Sequence, residues 1–318
     1  MIAFSLRRLL QVVVTVALLT VTTFILMHLV PGGPAFFLMG TPDHYTPEHE
    51  AAVNRVLGID QPVVSQLVLW VYAFVHGDLG WSFFYKDSVA HVIGLRLWPT
   101  IELAGLTLLL TIGGGITLGL YAGAHAGSRI DRCLSAASVV ALSVPSFWLG
   151  IALVFVFAVW QRWLPSSGIA ALNEPPSVAD HVRHLVLPVL ALSLSHMAGM
   201  GLYVRTSVAE ALRSDCIRTA RAKGLPGRLV FVRHALRSAL IPILTMAGLY
   251  VPNISGGTVV VETVFSWPGI GQLMTLSVVR RDYPVLMGIV LLLGVVVVAA
   301  SWLTDMAYHL ADPRIAFN

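Results

Sequence analysis

Six long stretches without a charged residue constrain this chain more than any other feature of its sequence. Each spans at least 21 residues between flanking Asp, Glu, Lys or Arg residues. They lie between positions 8 and 43, 102 and 129, 132 and 162, 183 and 205, 237 and 262, and 282 and 305. A helix needs about 20 apolar residues to cross the hydrocarbon core of a bilayer, where its backbone polar groups are satisfied internally. The pattern predicts an all-α, polytopic membrane protein with six transmembrane helices.

The overall composition agrees with this prediction and excludes a water-soluble globule. Hydrophobic residues make up 57% of the 318 residues and charged residues 11%, whereas soluble domains carry about 25% charged residues. The mean hydropathy is +0.81. The net charge of +4 comes from arginines dispersed between the apolar stretches. Such dispersal is typical of loops beside anionic lipid and does not indicate nucleic-acid binding.

The distribution of basic residues predicts the orientation in the membrane. If the N-terminus is cytoplasmic, the cytoplasmic side carries 13 of the lysines and arginines and the outer side carries seven. Basic loops are retained on the cytoplasmic side of membranes. We therefore expect a multi-pass protein of the cytoplasmic (inner) membrane with both termini in the cytoplasm.

The chain divides into two parts by composition. Residues 1–97 hold the first helix and a polar, aromatic segment beginning at Pro31, which we expect to be a mostly helical extracytoplasmic insertion. Residues 98–318 hold five helices and a cytoplasmic loop at about 207–237. In the second helix a glycine at every fourth residue predicts a close contact between helices. These glycines are Gly115, Gly119, Gly123 and Gly127.

Two of the predicted transmembrane helices contain a proline. Pro145 and Pro252 would each break or kink a helix, which a membrane tolerates where neighbouring helices or a water-lined cavity satisfy the freed carbonyl groups. A kink used only for packing fits this pattern as well as a path for a solute does. The candidate path residues are Ser143, Pro145, Ser146, Asn253 and Glu262.

The most informative segment is the basic loop between the fourth and fifth helices. Its first part, at residues 210–223, is rich in arginine and alanine and predicts a short amphipathic helix. Gly224 is expected to end this helix in a left-handed conformation, and Pro226 prevents its continuation before a second helix. Two exposed helices without a core of their own indicate a partner surface, although a basic loop lying on anionic lipid fits the same residues.

This loop also carries a resemblance to a known family. The segments RTARAKGL at 218–225 and RHALRSALIP at 233–242 resemble the EAA loop of bacterial ABC importer permeases, in particular the dipeptide, oligopeptide and nickel branch. Further segments agree with that branch over nearly the whole chain. They are LVPGGP at 29–34, GDLG at 77–80, SVPSFWLG at 143–150, VETVFSWPGIG at 261–271 and RDYP at 281–284. The general pattern begins with Glu-Ala-Ala, whereas this chain has Arg-Thr-Ala there, as the peptide branch tends to show.

The resemblance implies a type I ABC importer permease fold with a coupling helix at residues 215–227 that docks on a cytoplasmic ATPase. The coupling residues carried over are Asp215, Arg218, Thr219, Ala220, Arg221, Ala222, Lys223, Gly224, Leu225, Pro226 and Gly227. The implied partners are a second, homologous permease subunit, two cytoplasmic ATPase subunits, an extracytoplasmic substrate-binding protein and the lipid membrane. Peptides are the expected solute, and nickel or another small solute is the alternative.

The sequence offers little chemistry of its own. Neither Lys86 nor Lys223 belongs to a Gly-Lys-Ser/Thr phosphate-binding loop. We therefore expect ATP and Mg²⁺ to be bound by the ATPase subunits, with no cofactor and no catalytic residue in this chain. His181 and His184, beside Asp180, have a spacing that fits a metal on a helix, but we interpret them as solvated and predict no metal site.

An intramembrane enzyme and a stand-alone secondary transporter are the alternatives to an ABC importer permease. Acidic residues near the predicted helix ends argue against a proton relay.

Overall fold

The computed structural model describes residues 2–29, 47–56, 58–171, 175 and 177–311. Within the helices, only the backbone is described at residues 2–9, 12, 47–50, 56, 234–235, 237–242, 251–253, 255, 304–305 and 307–311. The described residues form twelve α-helices, two π-helical turns and one isolated β-bridge between Trp81 and Ser88. The all-α architecture predicted from the sequence is confirmed.

The first half of the chain contains the first six of these helices. They are α1 (Ile2–Leu29), α2 (Pro47–Val56), α3 (Val63–Val75), α4 (Val89–Ala124), α5 (Arg129–Ser143) and α6 (Ser146–Leu153). A π-helical turn at Val154–Trp160 continues α6.

The second half of the chain contains the other six helices. They are α7 (Val178–Arg213), α8 (Asp215–Ala222), α9 (Gly227–Val230), α10 (Leu236–Val264), α11 (Ile270–Arg280) and α12 (Tyr283–Ala311). A π-helical turn at Phe231–Ala235 joins α9 to α10 without an interruption of the helical backbone.

Several of these helices are long and apolar enough to cross a membrane. By length and composition, α4, α7 and the Tyr283–Leu303 part of α12 meet this requirement. The α5 helix and α6 with its π-helical turn meet it as a pair that is bent by 99° at the break between them. The described residues thus give three spans, or four if the bent pair counts as one. They support a multi-pass membrane protein, but they do not establish the predicted count of six.

One compact unit comprises the chain up to Thr100 together with residues 268–298. In its first apolar cluster, the beginning of α4 packs against α11 and α12. The buried members are Val89, Val92, Ile93, Ile270, Leu273, Val285 and Ile289. In its second cluster, Phe24 and Met27 of α1 pack with Leu286 and Met287 of α12. Close packing of this kind is what holds helices together in lipid, where the hydrophobic effect between helices is absent.

The other compact unit comprises residues 101–267 and the chain from Ala299 onwards. Its central helix is α7, because α5, α6 and α10 all pack against it. One cluster is built on Leu187 and Leu192 of α7 with Phe265 and Trp267, all nearly fully buried. Another joins α7 to α10 and includes Met200, Val204, Val208, Ile243, Tyr250 and Ile254. The division between residues 97 and 98 that we expected from composition stays a prediction.

Three of the four glycines predicted to form a contact between helices lie against α7. A methyl group added at Gly115 would lie 2.6 Å from Cβ of Met200. At Gly119 and Gly123 it would lie 2.6 and 2.9 Å from carbonyl oxygens of the α7 backbone. Ordinary van der Waals contacts are longer than this, so only glycine allows α4 and α7 to approach so closely.

The structure corrects one of these glycines and separates the two prolines. Gly127 does not belong to the strip, because α4 ends at Ala124 and Gly127 lies in the next turn with a φ of +86°. Pro145 lies at the N-terminal cap of α6 and marks the sharp bend, as predicted. At Pro252 the backbone of α10 continues as a helix, so the sequence pattern did not distinguish a proline that ends a helix from one that a helix accommodates.

Candidate functional site

The basic loop forms a short helix between two long ones. The α7 helix ends at Arg213, and only Ser214 separates it from α8. After α8 the chain turns, and α9 begins at Gly227 and leads into α10. The helix–turn–helix arrangement predicted from the sequence is therefore confirmed, and both ends of α8 are connected to long helices.

The turn after α8 is closed by a glycine cap. Gly224 has a φ of +75°, which L-residues with a Cβ adopt only at an energetic cost. Its N–H donates to the carbonyl of Arg221 at 2.9 Å, and the N–H of Leu225 donates to that of Ala220 at 3.3 Å. These two bonds are those of a Schellman motif. The left-handed glycine expected at this position is confirmed.

A small apolar cluster holds α8 against its neighbours. Ile217 and Ala220 of α8 are 1% and 5% exposed, and they pack with the buried Val230 of α9. Leu212 and Phe231 complete the cluster from α7 and from the π-helical turn. One face of α8 is therefore fixed by contacts within its own unit.

The opposite face of α8 and the turn after it are exposed and basic. The exposed residues of α8 are Asp215, Cys216, Arg218, Thr219, Arg221 and Ala222, and those that follow directly are Lys223 and Gly224. The ion pair between Arg218 and Asp215, 3.2 Å long, joins side chains that are 80% and 93% exposed and so contributes little to stability. The predicted coupling residues thus lie together in one segment with an exposed, mostly basic surface. Their role in coupling stays a prediction.

The candidate path residues lie at two places. Ser143 and Pro145 are exposed and Ser146 is half-buried at the 99° bend between α5 and α6. Glu262 is fully buried in α10. The side chain of Asn253 lies outside the described residues. A path that these residues share stays a prediction.

The histidines considered as metal ligands engage in hydrogen bonds with other groups. His181 Nε2 lies 2.8 Å from Glu102 Oε1, and its Nδ1 lies 3.1 Å from the carbonyl oxygen of Ile169. His184 Nδ1 lies 2.9 Å from the carbonyl oxygen of Asp180. The described part of the chain contains no group of three or more His, Cys, Asp or Glu residues that could hold a metal. His181 instead links the start of α7 to Glu102 of α4 and to Ile169, in the loop that precedes α7.

Sequence reasoning missed a buried carboxylate that joins the RDYP segment to the residues that follow GDLG. Asp282 is fully buried and accepts hydrogen bonds from the hydroxyl of Ser82 and from the N–H groups of Phe83 and Phe84, the latter two at 3.2 Å. It fixes the loop after GDLG to the turn before α12. Arg280 adds a cation–π contact, with its guanidinium carbon 3.7 Å from the centre of the Phe84 ring. No local pattern signals a contact between residues 200 positions apart.

A second contact that the sequence did not reveal joins α5 to α7. Asp131 and Arg205 form an ion pair with a shortest N–O distance of 2.6 Å. Arg205 borders a charge-free stretch, Asp131 lies between Arg129 and Arg132, and both resemble ordinary loop charges in the sequence. Their separation of 74 positions gives no signal of the pairing.

Comparison with known proteins gives matches over the full length. Residues 115–317 match the family model described as "Binding-protein-dependent transport system inner membrane component", and residues 1–104 match that of its N-terminal part. The oligopeptide transport system permease protein AppB of Bacillus subtilis is 35% identical over 100% of both chains. A putative peptide transport system permease protein of Brucella abortus is 37% identical over 100% of both chains. A solved structure, described as an amino acid ABC transporter with histidines, covers 69% of this chain and 94% of its own at 15% identity. Its TM-score of 0.49 is too low to carry a conclusion.

Proposed function

We propose that this chain, which belongs to the family of binding-protein-dependent transport system inner membrane components, forms half of the path of an ATP-driven importer of peptides. It is the permease subunit of an ABC importer, and family membership over the full length carries this assignment. The peptide substrate is supported by its relatives, two of which are named as oligopeptide and peptide transport system permeases.

We propose six transmembrane helices with both termini in the cytoplasm, in the type I ABC importer fold. Each of the six charge-free stretches overlaps one long helix or the bent pair, in the order α1, α4, α5–α6, α7, α10 and α12. Among them, α1 and α10 contain 28 and 29 residues, which is long enough to cross a bilayer. The segment between α1 and α4 would then be extracytoplasmic.

The proposed partners are a second permease subunit, two cytoplasmic ATPase subunits that bind ATP and Mg²⁺, and an extracytoplasmic binding protein that delivers the peptide. The α8 helix would dock on one ATPase subunit through its exposed face. Because α7 and α10 continue from its two ends, a movement of α8 would be passed to both as rigid-body displacement, which is how alternating access is commonly achieved. Ser143, Pro145, Ser146, Asn253 and Glu262 are the proposed path residues.

Transport by the reconstituted complex tests the substrate and the energy source. The chain would be co-expressed with its partner subunits, purified and placed in liposomes with the binding protein. We expect uptake of a labelled peptide that requires ATP and is indifferent to an imposed ion gradient. Uptake driven by the ion gradient without ATP would support a secondary transporter instead, and uptake of nickel without peptide uptake would reassign the solute.

A charge reversal tests the docking of α8. The double variant Arg221→Glu and Lys223→Glu changes two exposed side chains without touching the buried cluster. We expect at least a tenfold loss of co-purified ATPase, because a basic surface would have become acidic. Arg55→Glu, which changes an arginine of α2 that is also exposed, is the matched control and should retain the ATPase. Equal recovery with both variants contradicts the docking role.

A further inference from the structure

Asp131 and Arg205 form a bidentate ion pair in the unit that carries α8. Nε of Arg205 donates to Oδ1 of Asp131 at 2.6 Å, and Nη2 donates to Oδ2 at 2.7 Å. The Asp131 side chain is 1% exposed and that of Arg205 is 31% exposed. The N–H of Gly127 donates to the same carboxylate at 2.8 Å, and the hydroxyl of Ser128 caps α5 by accepting from the N–H of Asp131 at 3.1 Å. The pair therefore fastens the start of α5 and the turn before it to α7.

This pair is the main buried attachment that α5 offers. Asp131 is the one fully buried residue of α5, whose residues are all described. The surrounding α5 surface is exposed or half-buried, so a buried apolar seam of the kind that joins α7 to α10 is missing here. The position of α5 relative to α7 thus depends on half-buried packing between the two helices together with one buried, directed polar contact at the start of α5.

The same part of α7 is also held to α4. The glycines of α4 allow backbone contact with α7, and a methyl group at Gly123 would lie 2.9 Å from the carbonyl oxygen of Arg205 itself. Arg205 is therefore held from its backbone side by α4 and from its guanidinium by α5. The end of α4, the start of α5 and the last turns of α7 are therefore joined by contacts at Arg205, and we treat them as one rigid block.

This block lies between α8 and the proposed path. Arg205 precedes the end of α7 at Arg213 by two helical turns, and Ser214 alone separates that end from α8. At its other end, α5 stops at the 99° bend that contains Ser143 and Ser146. A buried carboxylate does not leave its partner without becoming an uncompensated charge. The planar guanidinium fork also restricts rotation.

We propose that Asp131 and Arg205 are positioning residues that transmit the movement of α8 to the bend between α5 and α6. This proposal rests on the proposed function, in which α8 receives the movement of an ATPase subunit. When α8 pulls on α7, the fork makes α5 follow, and the bend at the far end of α5 changes the path. Without the fork, α7 moves while α5 lags, and ATP hydrolysis no longer produces transport.

The test measures the number of peptides transported per ATP hydrolysed by the reconstituted complex. Arg205→Lys keeps the charge but offers a point contact in place of the fork, and Asp131→Glu keeps the carboxylate but displaces it by one methylene group. For each variant we expect at least a tenfold fall in peptides per ATP, with ATPase co-purification and ATP hydrolysis within about twofold of the unaltered complex. Arg132→Lys, the same substitution at an exposed position of α5, is the matched control and should leave the ratio unchanged.

Three results would overturn the proposal. They are an unchanged ratio in both variants, a parallel fall of uptake and hydrolysis, and loss of assembly in both variants, since the last two indicate a purely structural pair. If one variant fails to assemble, the other decides. A failure of the proposed function looks different, because then the unaltered chain itself shows no ATP-dependent peptide uptake.

Discussion

Two connecting segments of this protein are held in place by opposite means. The loop at residues 77–88, in one compact unit, is organised by a buried carboxylate, and Asp282 accepts three hydrogen bonds from residues 82–84. The segment at residues 214–227, in the other unit, is held by a small apolar cluster under α8 and by the glycine cap at Gly224. The 77–88 loop is thus fixed by hydrogen bonds to a buried carboxylate, and the 214–227 segment is fixed by apolar packing and by the backbone conformation of Gly224.

The difference indicates what each segment is suited for. Hydrogen bonds to a buried charge are strong and directional, so the 77–88 loop has one geometry. Apolar contact is not directional, so α8 tolerates small changes of angle while it remains a rigid helix. A segment that receives movement from a partner must be rigid itself and yet be able to tilt slightly, as α8 can. The 77–88 loop, which has one fixed geometry, is suited to a surface whose shape does not change.

The largest expected effect is the loss of the buried carboxylate. Asp282→Ala leaves the hydroxyl of Ser82 and two N–H groups without their acceptor, and it should lower the free energy of unfolding by at least about 3 kcal/mol, because each of the three unsatisfied donors costs about 1–3 kcal/mol. The thermal midpoint of the detergent-purified chain measures this. Asp78→Ala is the control, since Asp78 is exposed and accepts from Gly80 N–H alone among the bonds described. Similar thermal midpoints for the two variants would show that the buried carboxylate does not organise the 77–88 loop.

A substitution in the apolar cluster under α8 should have a smaller effect on stability, and the effect should be confined to the region around α8. Ile217→Ala removes one of the two side chains of the cluster that are only 1% exposed, and about 2–4 kcal/mol of local stability should be lost, as for other large-to-small core substitutions. Hydrogen exchange of residues 214–230 should become faster while the thermal midpoint changes little, because α8 can open locally. Arg221→Ala, at an exposed position of the same helix, should leave exchange unchanged. A large fall in the global midpoint would show that α8 is as firmly integrated as the 77–88 loop.

A pair of glycines sharpens the comparison further. Gly224→Ala places a Cβ at a φ of +75° and should cost about 1–2 kcal/mol, even though nothing lies within 4 Å of the added atom. Gly227→Ala also meets open space, at a position without a positive φ, and should be neutral or slightly stabilising because alanine favours helices. Co-purification with the ATPase and protease sensitivity of the loop would measure both. Equal co-purification and equal protease sensitivity of the two variants would mean that the Gly224 cap does not stabilise the position of α8.

The smallest expected effect is a pH dependence in the 77–88 loop. A hydrogen bond from the side chain of His91, and then one from the N–H of Ser88, lower the pKa of Asp87 from its ordinary value of 3.8. A carboxyl group whose pKa is lowered by folding stabilises the folded state above its unfolded pKa, and this contribution is lost as the pH falls through the folded pKa. Thermal midpoints measured from pH 5 downwards should therefore fall a little more steeply for the unaltered chain than for Asp87→Asn. Parallel curves would show that the Asp87–His91 contact has no effect in solution.

Much of the local structure could be predicted from the sequence. The charge-free stretches predicted helices, Gly224 predicted the end of α8, and Pro145 predicted the bend, because each is a property of a few neighbouring residues. The same reasoning extended the glycine strip to Gly127, beyond the end of α4, because the four-residue period does not show where a helix stops. It also gave no account of Asp282 or of the Asp131–Arg205 pair.

The sequence by itself determined that this chain lies in a membrane, that its elements are helices and that a capped basic helix follows α7. The physical reason is that apolar length, charge placement and left-handed turns are local requirements. Only the tertiary structure decided which charges are buried, which glycines lie against α7, and that Asp131 meets Arg205 while Asp282 meets Ser82. Such pairs form when separate helices pack and exclude solvent from a charge, and nothing in either local segment encodes its partner.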